Sequence, residues 1–290
     1  MEGITILNTR AAAIAALILA AVLLSTAGVA FQLLSINNGL AISGYRSFFA
    51  AISYIVFFRA FPKMENTRWF KTAIIAYACA TSFFVVSNTL TTAVNAVVLM
   101  YTSPIFACIF LVFIFKKPVP RYDIIAVALI LFGICVFFVD SLTLQGSASM
   151  VYGNMFAIAA GAGFGMLAIV MGRTNTPRNA ITFGNGLNVL IALPFMFMNP
   201  IGSLTDLAIL VYLGVIQVGL SYLLYAFASS KVSPLELILI PAMEPILNPV
   251  WVFLFDRQFP SMLSVVGGVI IIGTIIIWSL YKQKFSDSKM

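Results

Sequence analysis

The stretch VFIFKKPVP at residues 112–120 returns as VFLFDRQFP at residues 252–260. Each copy closes a long apolar run and ends in a proline-terminated turn, so the same helix-to-turn junction is read twice in one chain. The alignment extends backward through Ser103-Pro104 against Glu244-Pro245, with a one-residue slip, and forward from Gly133 to Gly273. Residues 1–140 and 141–290 are accordingly read as two copies of one unit.

The composition around this repeat decides the solvent. Of 290 residues 62% are apolar and 9% charged, with a mean hydropathy of +1.07, whereas an average soluble domain is about 45–50% apolar and about 25% charged. No soluble interior of this length hides so much apolar surface. The chain reads as a polytopic, all-α integral membrane protein, which excludes a soluble enzyme, a nucleic-acid binder and a disordered chain. Histidine is absent, and Cys79, Cys108 and Cys135 lie singly inside apolar runs. The usual metal ligands and the usual general base are thus missing, and neither a cofactor nor a metal is expected.

Residues 11–45, 72–115, 124–139, 141–172, 179–205, 207–230 and 258–281 carry no charge. A spanning helix needs about 20 mostly apolar residues, so the first two intervals hold two spans each, divided by turns at 35–39 and 87–92. The expectation is ten transmembrane helices, at 11–34, 40–59, 70–88, 93–115, 122–139, 151–171, 180–198, 205–228, 234–255 and 261–281. The first is too long for a signal-peptide core and is expected to stay in the mature protein.

Placing both termini in the cytoplasm puts 14 of the 16 Lys and Arg residues in cytoplasmic segments, as the positive-inside bias requires. The net charge of +7 is therefore topology rather than a nucleic-acid footprint. Equivalent turns also swap their charge. Lys116, Lys117 and Arg121 follow the fourth helix, but Asp256 and Arg257 follow the ninth. The loop 59–71 holds four basic residues, and its counterpart near 198–206 holds only Asp206. Five helices per copy and this swap make the second unit an inverted repeat of the first, a sequence mark of secondary transporters.

Two residues are charged at membrane depth, where charge is expensive and tends to face a cavity or a partner. Glu244 lies about eleven residues into the ninth helix, near the midplane at about 1.5 Å per residue. Arg46 lies about two turns into the second. They either pair and lock two helices, or meet cargo or protons, or leave Arg46 reaching outward with no role. Polar residues recur on single helical faces nearby: Glu244, Asn248 and Trp251; Tyr77, Thr81 and Asn88; Gln217 and Ser221; and Asn185 with Asn188. Together they outline a shared wet interior that would bind substrate. Desolvation and Arg46 would act on the Glu244 carboxylate in opposite directions, which makes Glu244 the proton-coupling candidate. Pro104, Pro241 and Pro245 fall mid-span, where each removes a backbone donor and crowds the preceding turn, and are read as hinge candidates.

Residues 92–96 (TAVNA), Ser103-Pro104 and the basic turn 116–121 resemble the first signature of the ten-helix EamA-type carriers of the drug/metabolite transporter superfamily. Val232-Ser233-Pro234, Glu244-Pro245 and the turn 256–260 are similar to its second copy, although Phe255-Asp256-Arg257 replaces the Gly-Glu of many members. The resemblance implies a secondary carrier working by alternating access. The expected cargo is a small polar or zwitterionic metabolite such as an amino acid, moved outward by a monomer or weak dimer in a bacterial plasma membrane. The same fold also serves multidrug, lipophilic-cation and lipid flippases, which stay open as the alternative. An intramembrane enzyme would need a nucleophile with a base, or metal ligands, and the residues offer little for either.

Overall fold

The computed structural model describes residues 10–139, 148–247, 251 and 262–287, and among them all regular secondary structure is helical. The chain forms α1 (Arg10–Ser25), α2 (Ala27–Gln32), α3 (Gly39–Phe58), α4 (Arg68–Leu90), α5 (Ala93–Met100), α6 (Ser103–Phe113) and α7 (Arg121–Phe138). After these come α8 (Ala148–Met171), α9 (Pro177–Met198) and α10 (Leu204–Tyr212). A π-helix (Leu213–Leu220), α11 (Ser221–Ser229), α12 (Pro234–Leu239), a 3-10 turn (Pro241–Met243) and α13 (Met262–Asp287) complete the order. Seven described stretches are long and apolar enough to cross a membrane: 39–58, 68–90, 95–113, 148–171, 177–198, 204–229 and 265–282.

Polarity is distributed as lipid requires. Val56, Phe57, Leu190 and Phe197 are exposed, while Arg46, Ser47, Thr81, Asn185, Asn188, Gln217 and Ser221 are buried. In hydrocarbon a polar group must find its partner inside the protein.

The turns expected at 35–39 and 87–92 are present, and their chemistry explains them. Asn38 caps α3 by accepting from the Ala41 amide at 3.0 Å, and Thr92 caps α5 by accepting from Asn95 at 3.1 Å. The second turn is tighter than the sequence suggests, because α4 continues to Leu90.

Several expected single spans are interrupted instead. The first breaks at Thr26, where the Ser25 and Thr26 hydroxyls bond back to the Val22 and Leu23 carbonyls at 2.6 and 2.7 Å; such bonds compete with the backbone ladder. The fourth breaks between Met100 and Ser103, because Pro104 supplies no amide to carry the ladder across. The ninth passes from α12 into a 3-10 turn at Pro241, then helical residues 244–247. The eighth widens into a π-helix at Leu213–Leu220.

Packing runs in pairs: α4 along α8, α3 along α9, α7 along α13, and α1 against α11. Glycines on α8 permit close approach. A Cβ on Gly163 would lie 2.9 Å from the Ala80 amide nitrogen, and one on Gly161 would lie 2.8 Å from the Met100 carbonyl. The broken helix α5–α6 thus rests directly on α8.

Candidate functional site

The interruptions converge on one place. Tyr101, in the break between α5 and α6, donates its hydroxyl to the Pro241 carbonyl and to Glu244 Oε2, each at 3.2 Å. The broken helix of the first half therefore meets the broken helix of the second, with Glu244 at the junction. Across the cavity stands Arg46 of α3, 6% exposed.

Arg46 is held but not satisfied. Its Nη2 donates to Gln217 Oε1 at 3.0 Å, and its guanidinium carbon lies 5.1 Å from the Phe31 ring centroid. Its Nε and Nη1 are buried with no hydrogen-bond partner, as is the Ser221 hydroxyl. Gln217 is in turn fixed by the Leu24 carbonyl at 3.3 Å. The π-helix delivers it: Gly214, at the start of that run, packs so closely on α3 that a Cβ would lie 2.7 Å from the Arg46 carbonyl. Helical residues with one extra residue per turn occur frequently at functional sites.

Arg46, Thr81, Tyr101, Gln217, Tyr222 and Glu244 line a cavity of about 80 Å³, whose remaining wall is largely apolar, including Leu24, Phe84, Met100, Phe164 and Ile238. That space takes a few waters at the volume each needs. Arg46 and Glu244 line it together without forming an ion pair; the pairs among the described residues are Arg10–Glu236, Lys282–Asp123 and Lys282–Glu236.

The other sequence-derived residues fall in three places. Tyr77, Asn185 and Ser221 lie buried around the cavity rather than in its wall. The Tyr77 hydroxyl donates to Asn185 Oδ1 at 3.1 Å, and its ring meets Tyr222 edge-on at 4.8 Å. Thr81 belongs both to the wall and to a polar knot centred on Asn188, whose amide donates to Thr81 and Ser47 at 2.8 and 3.2 Å and accepts from Ser82 at 2.8 Å. Asn88 lies apart, its amide bonded to the Phe84 carbonyl at 2.9 Å. Trp251 donates to Ser25 at 2.8 Å and lines a separate apolar cleft with Leu33, Ile209 and Tyr212. Asn248 lies outside the described residues. Pro104 is buried at the start of α6, next to Ser103 of the cavity wall. Among the described residues no three His, Cys, Asp or Glu side chains gather as metal donors.

Sequence reasoning singled out Glu244 but not Tyr101, its partner; the signal was that the two proline breaks occupy equivalent positions. It also missed the π-helix, for which the spaced glycines Gly214 and Gly219 were the available hint.

A membrane bundle of apolar helices, with two broken helices meeting at a buried charged cavity, defines a carrier-type fold. The EamA-like transporter family model matches residues 11–139 and again 151–280. The chain belongs to that family, as two repeats, and is a membrane transporter. It is 25% identical over 221 residues to an uncharacterized transporter of Clostridium kluyveri, a match covering 72% of this chain and 71% of that one. A protein of known crystal structure superposes with a TM-score of 0.78 at 15% identity, covering 96% of this chain and 99% of its own, which shows the shared fold.

Proposed function

We propose that the chain is a secondary active exporter of small polar or zwitterionic metabolites, amino acids foremost, working by alternating access. It has ten spans in two inverted halves, 1–140 and 141–290, and both termini are in the cytoplasm of a bacterium. The observation that carries the cargo class is Arg46, a buried guanidinium in the cavity wall with two N–H-bearing nitrogens unpartnered. Such free guanidinium N–H groups suit a cargo carboxylate, which would accept charge-assisted hydrogen bonds from them. Glu244 lines the same cavity and receives the cargo's ammonium or exchanges it for a proton. Thr81, Gln217 and Tyr101 supply hydrogen bonds, and Pro104, Pro241 and Pro245 let the two broken helices move. The ten-span count adds α1, α7 and the broken ninth helix to the seven long stretches; both halves of the family match fit that division.

The test is Glu244→Gln in proteoliposomes, reading uphill accumulation and downhill exchange of labelled amino acids separately. The coupling role predicts that exchange survives while accumulation driven by a proton gradient is lost. Undiminished accumulation against the gradient would remove Glu244 from coupling.

The apolar cleft lined by Leu33, Ile209, Tyr212 and Trp251 favours a second reading, a flippase for lipophilic cations or lipids. That reading predicts transport insensitive to Arg46→Ala.

A further inference from the structure

A cargo carboxylate balances Arg46 for only part of a transport cycle. The guanidinium lies at membrane depth on α3, buried in the cavity wall, where an unbalanced charge is expensive. Its close contacts are to neutral groups: the Gln217 amide oxygen accepts from Nη2, and the Phe31 ring lies beside the guanidinium carbon. Nε and Nη1 are buried with no hydrogen-bond partner. Leaving a buried donor unsatisfied costs its desolvation, and more for a charged group.

The tyrosines nearby offer no negative charge. Tyr101, Tyr222 and Tyr225 line the cavity with Arg46, and Tyr77 backs its wall against Tyr222. An ordinary phenol loses its proton only at about pH 10. Among the described residues, Glu244 is therefore the one cavity group able to balance Arg46, and it does so only while ionised. It holds the Tyr101 hydroxyl at 3.2 Å and forms no ion pair with Arg46.

The net charge of the cavity thus depends on one proton. With Glu244 ionised the two charges cancel, and a zwitterion adds none. With Glu244 protonated and cargo released, Arg46 keeps a full positive charge with nothing to offset it. A single small anion removes that charge. The cavity of about 80 Å³ takes a few waters, so it admits a monatomic ion of similar size. Such an ion needs no planar fork and accepts from whichever free N–H faces it.

We infer that Arg46 is also the binding site of a small monovalent inorganic anion, chloride foremost, which enters the cavity when cargo has left and Glu244 is protonated. This rests on the reading of Glu244 as the proton-coupling group. Proton and anion bind as a neutral pair, each favouring the other, because coupling between two sites is reciprocal. Zwitterionic cargo displaces both: its carboxylate replaces the anion on Arg46, and its ammonium replaces the proton at Glu244. The cavity then has the same net charge with cargo as with the proton and anion, and exchanging one for the other moves no net charge across the membrane.

The test uses purified full-length protein in detergent with chloride as the probe, read as excess broadening of the chloride NMR line by bound ion. Wild type is expected to show a saturable component that amino acids displace. Its apparent affinity should fall about tenfold per pH unit as the pH rises through the Glu244 titration, the slope for one linked proton. Arg46→Gln should abolish the component. Gln217→Glu gives the guanidinium an internal carboxylate and should abolish it too, which serves if a thermal melt shows Arg46→Gln unfolded. Glu244→Gln, whose amide stands in for the protonated acid, should keep the component and lose its pH slope. Absence of a saturable component in folded wild type, or broadening equal in wild type and the folded Arg46→Gln or Gln217→Glu variant, would overturn the site. A pH slope that survives Glu244→Gln would overturn the pairing with the proton. A protein that exchanges amino acids without the saturable component keeps the cargo assignment and loses the anion; one that binds chloride at Arg46 yet moves no amino acid keeps the anion and loses the cargo assignment.

Discussion

Gln217→Glu puts the cavity chemistry to a direct test. Gln217 Oε1 accepts from Arg46 Nη2 at 3.0 Å, and its Nε2 donates to the Leu24 carbonyl. The substitution keeps the size and places a carboxylate on a guanidinium that has two further nitrogens unpartnered. The Arg46–Gln217 bond already has a charged donor and lies within about 1.5–3 kcal/mol, and an ionised acceptor moves it from the low to the high end of that range. The internal carboxylate therefore gains about 1–1.5 kcal/mol over the amide, less whatever the lost Leu24 bond costs. A cargo carboxylate must displace it, so half-saturation for amino-acid exchange should rise about tenfold, since about 1.4 kcal/mol is a factor of ten. The thermal midpoint should hold or rise, because a buried charge acquires its partner. The assay is concentration-dependent exchange in proteoliposomes beside a thermal melt of the same preparation. Unchanged half-saturation in the folded variant would show that cargo does not use Arg46.

Other substitutions test the scaffold. Gly163→Ala puts a Cβ 2.9 Å from the Ala80 amide nitrogen, so a thermal melt should show a loss of about 1–3 kcal/mol from overpacking. Gly186→Ala, where no atom lies within 4 Å of the added Cβ, should leave the melt almost unmoved. Asn188→Ala strips partners from Ser47, Thr81 and Ser82 and should cost about 1–2 kcal/mol, the scale of interhelical hydrogen bonds in membranes; a melt within error of wild type would mean the knot relaxes onto other partners. Tyr101→Phe frees Glu244 Oε2 and the Pro241 carbonyl and should change turnover more than half-saturation, because it unties the two broken helices while leaving Arg46 in place.

The fold was legible wherever it depended on hydrophobic length and on repetition. The match of 112–120 to 252–260 located two halves, and the charge-free intervals located the long helices. What periodicity does not carry is the state of the backbone within an apolar run. The run 93–115 looks continuous by hydropathy, yet a single missing amide at Pro104 divides it. The π-helix at 213–220 leaves no mark on hydropathy, and it is what sets Gln217 against Arg46. The cavity residues were found because charge is conspicuous in an apolar chain, which is why Arg46 and Glu244 stood out. Asn88 and Trp251 were assigned by helical spacing alone, and neither lines the cavity, because a face extends the length of a helix and a cavity does not. Asp123 and Glu236 went unremarked because each sits at a helix start, where an acid has an ordinary explanation in the helix dipole. Only the packing of four helices reveals that Arg10 and Lys282 close on them.

In the proposed cycle the two proline breaks also connect the site to movement. Tyr101 bonds across both of them, so in the proposed cycle cargo engaging Glu244 would act on the junction of the two broken helices. Binding and opening then share residues rather than communicating over distance, and a ligand shifts such an equilibrium only by its differential affinity for the two states.

The most direct measurement is counterflow: proteoliposomes are loaded with an amino-acid mixture, one labelled amino acid is added outside at a time, and wild type is compared with Arg46→Ala. Transient accumulation by wild type that disappears in the variant is the predicted result, establishing exchange of a carboxylate-bearing cargo through Arg46. Absence of accumulation for every amino acid, with folded wild-type protein in the membrane, would contradict the account.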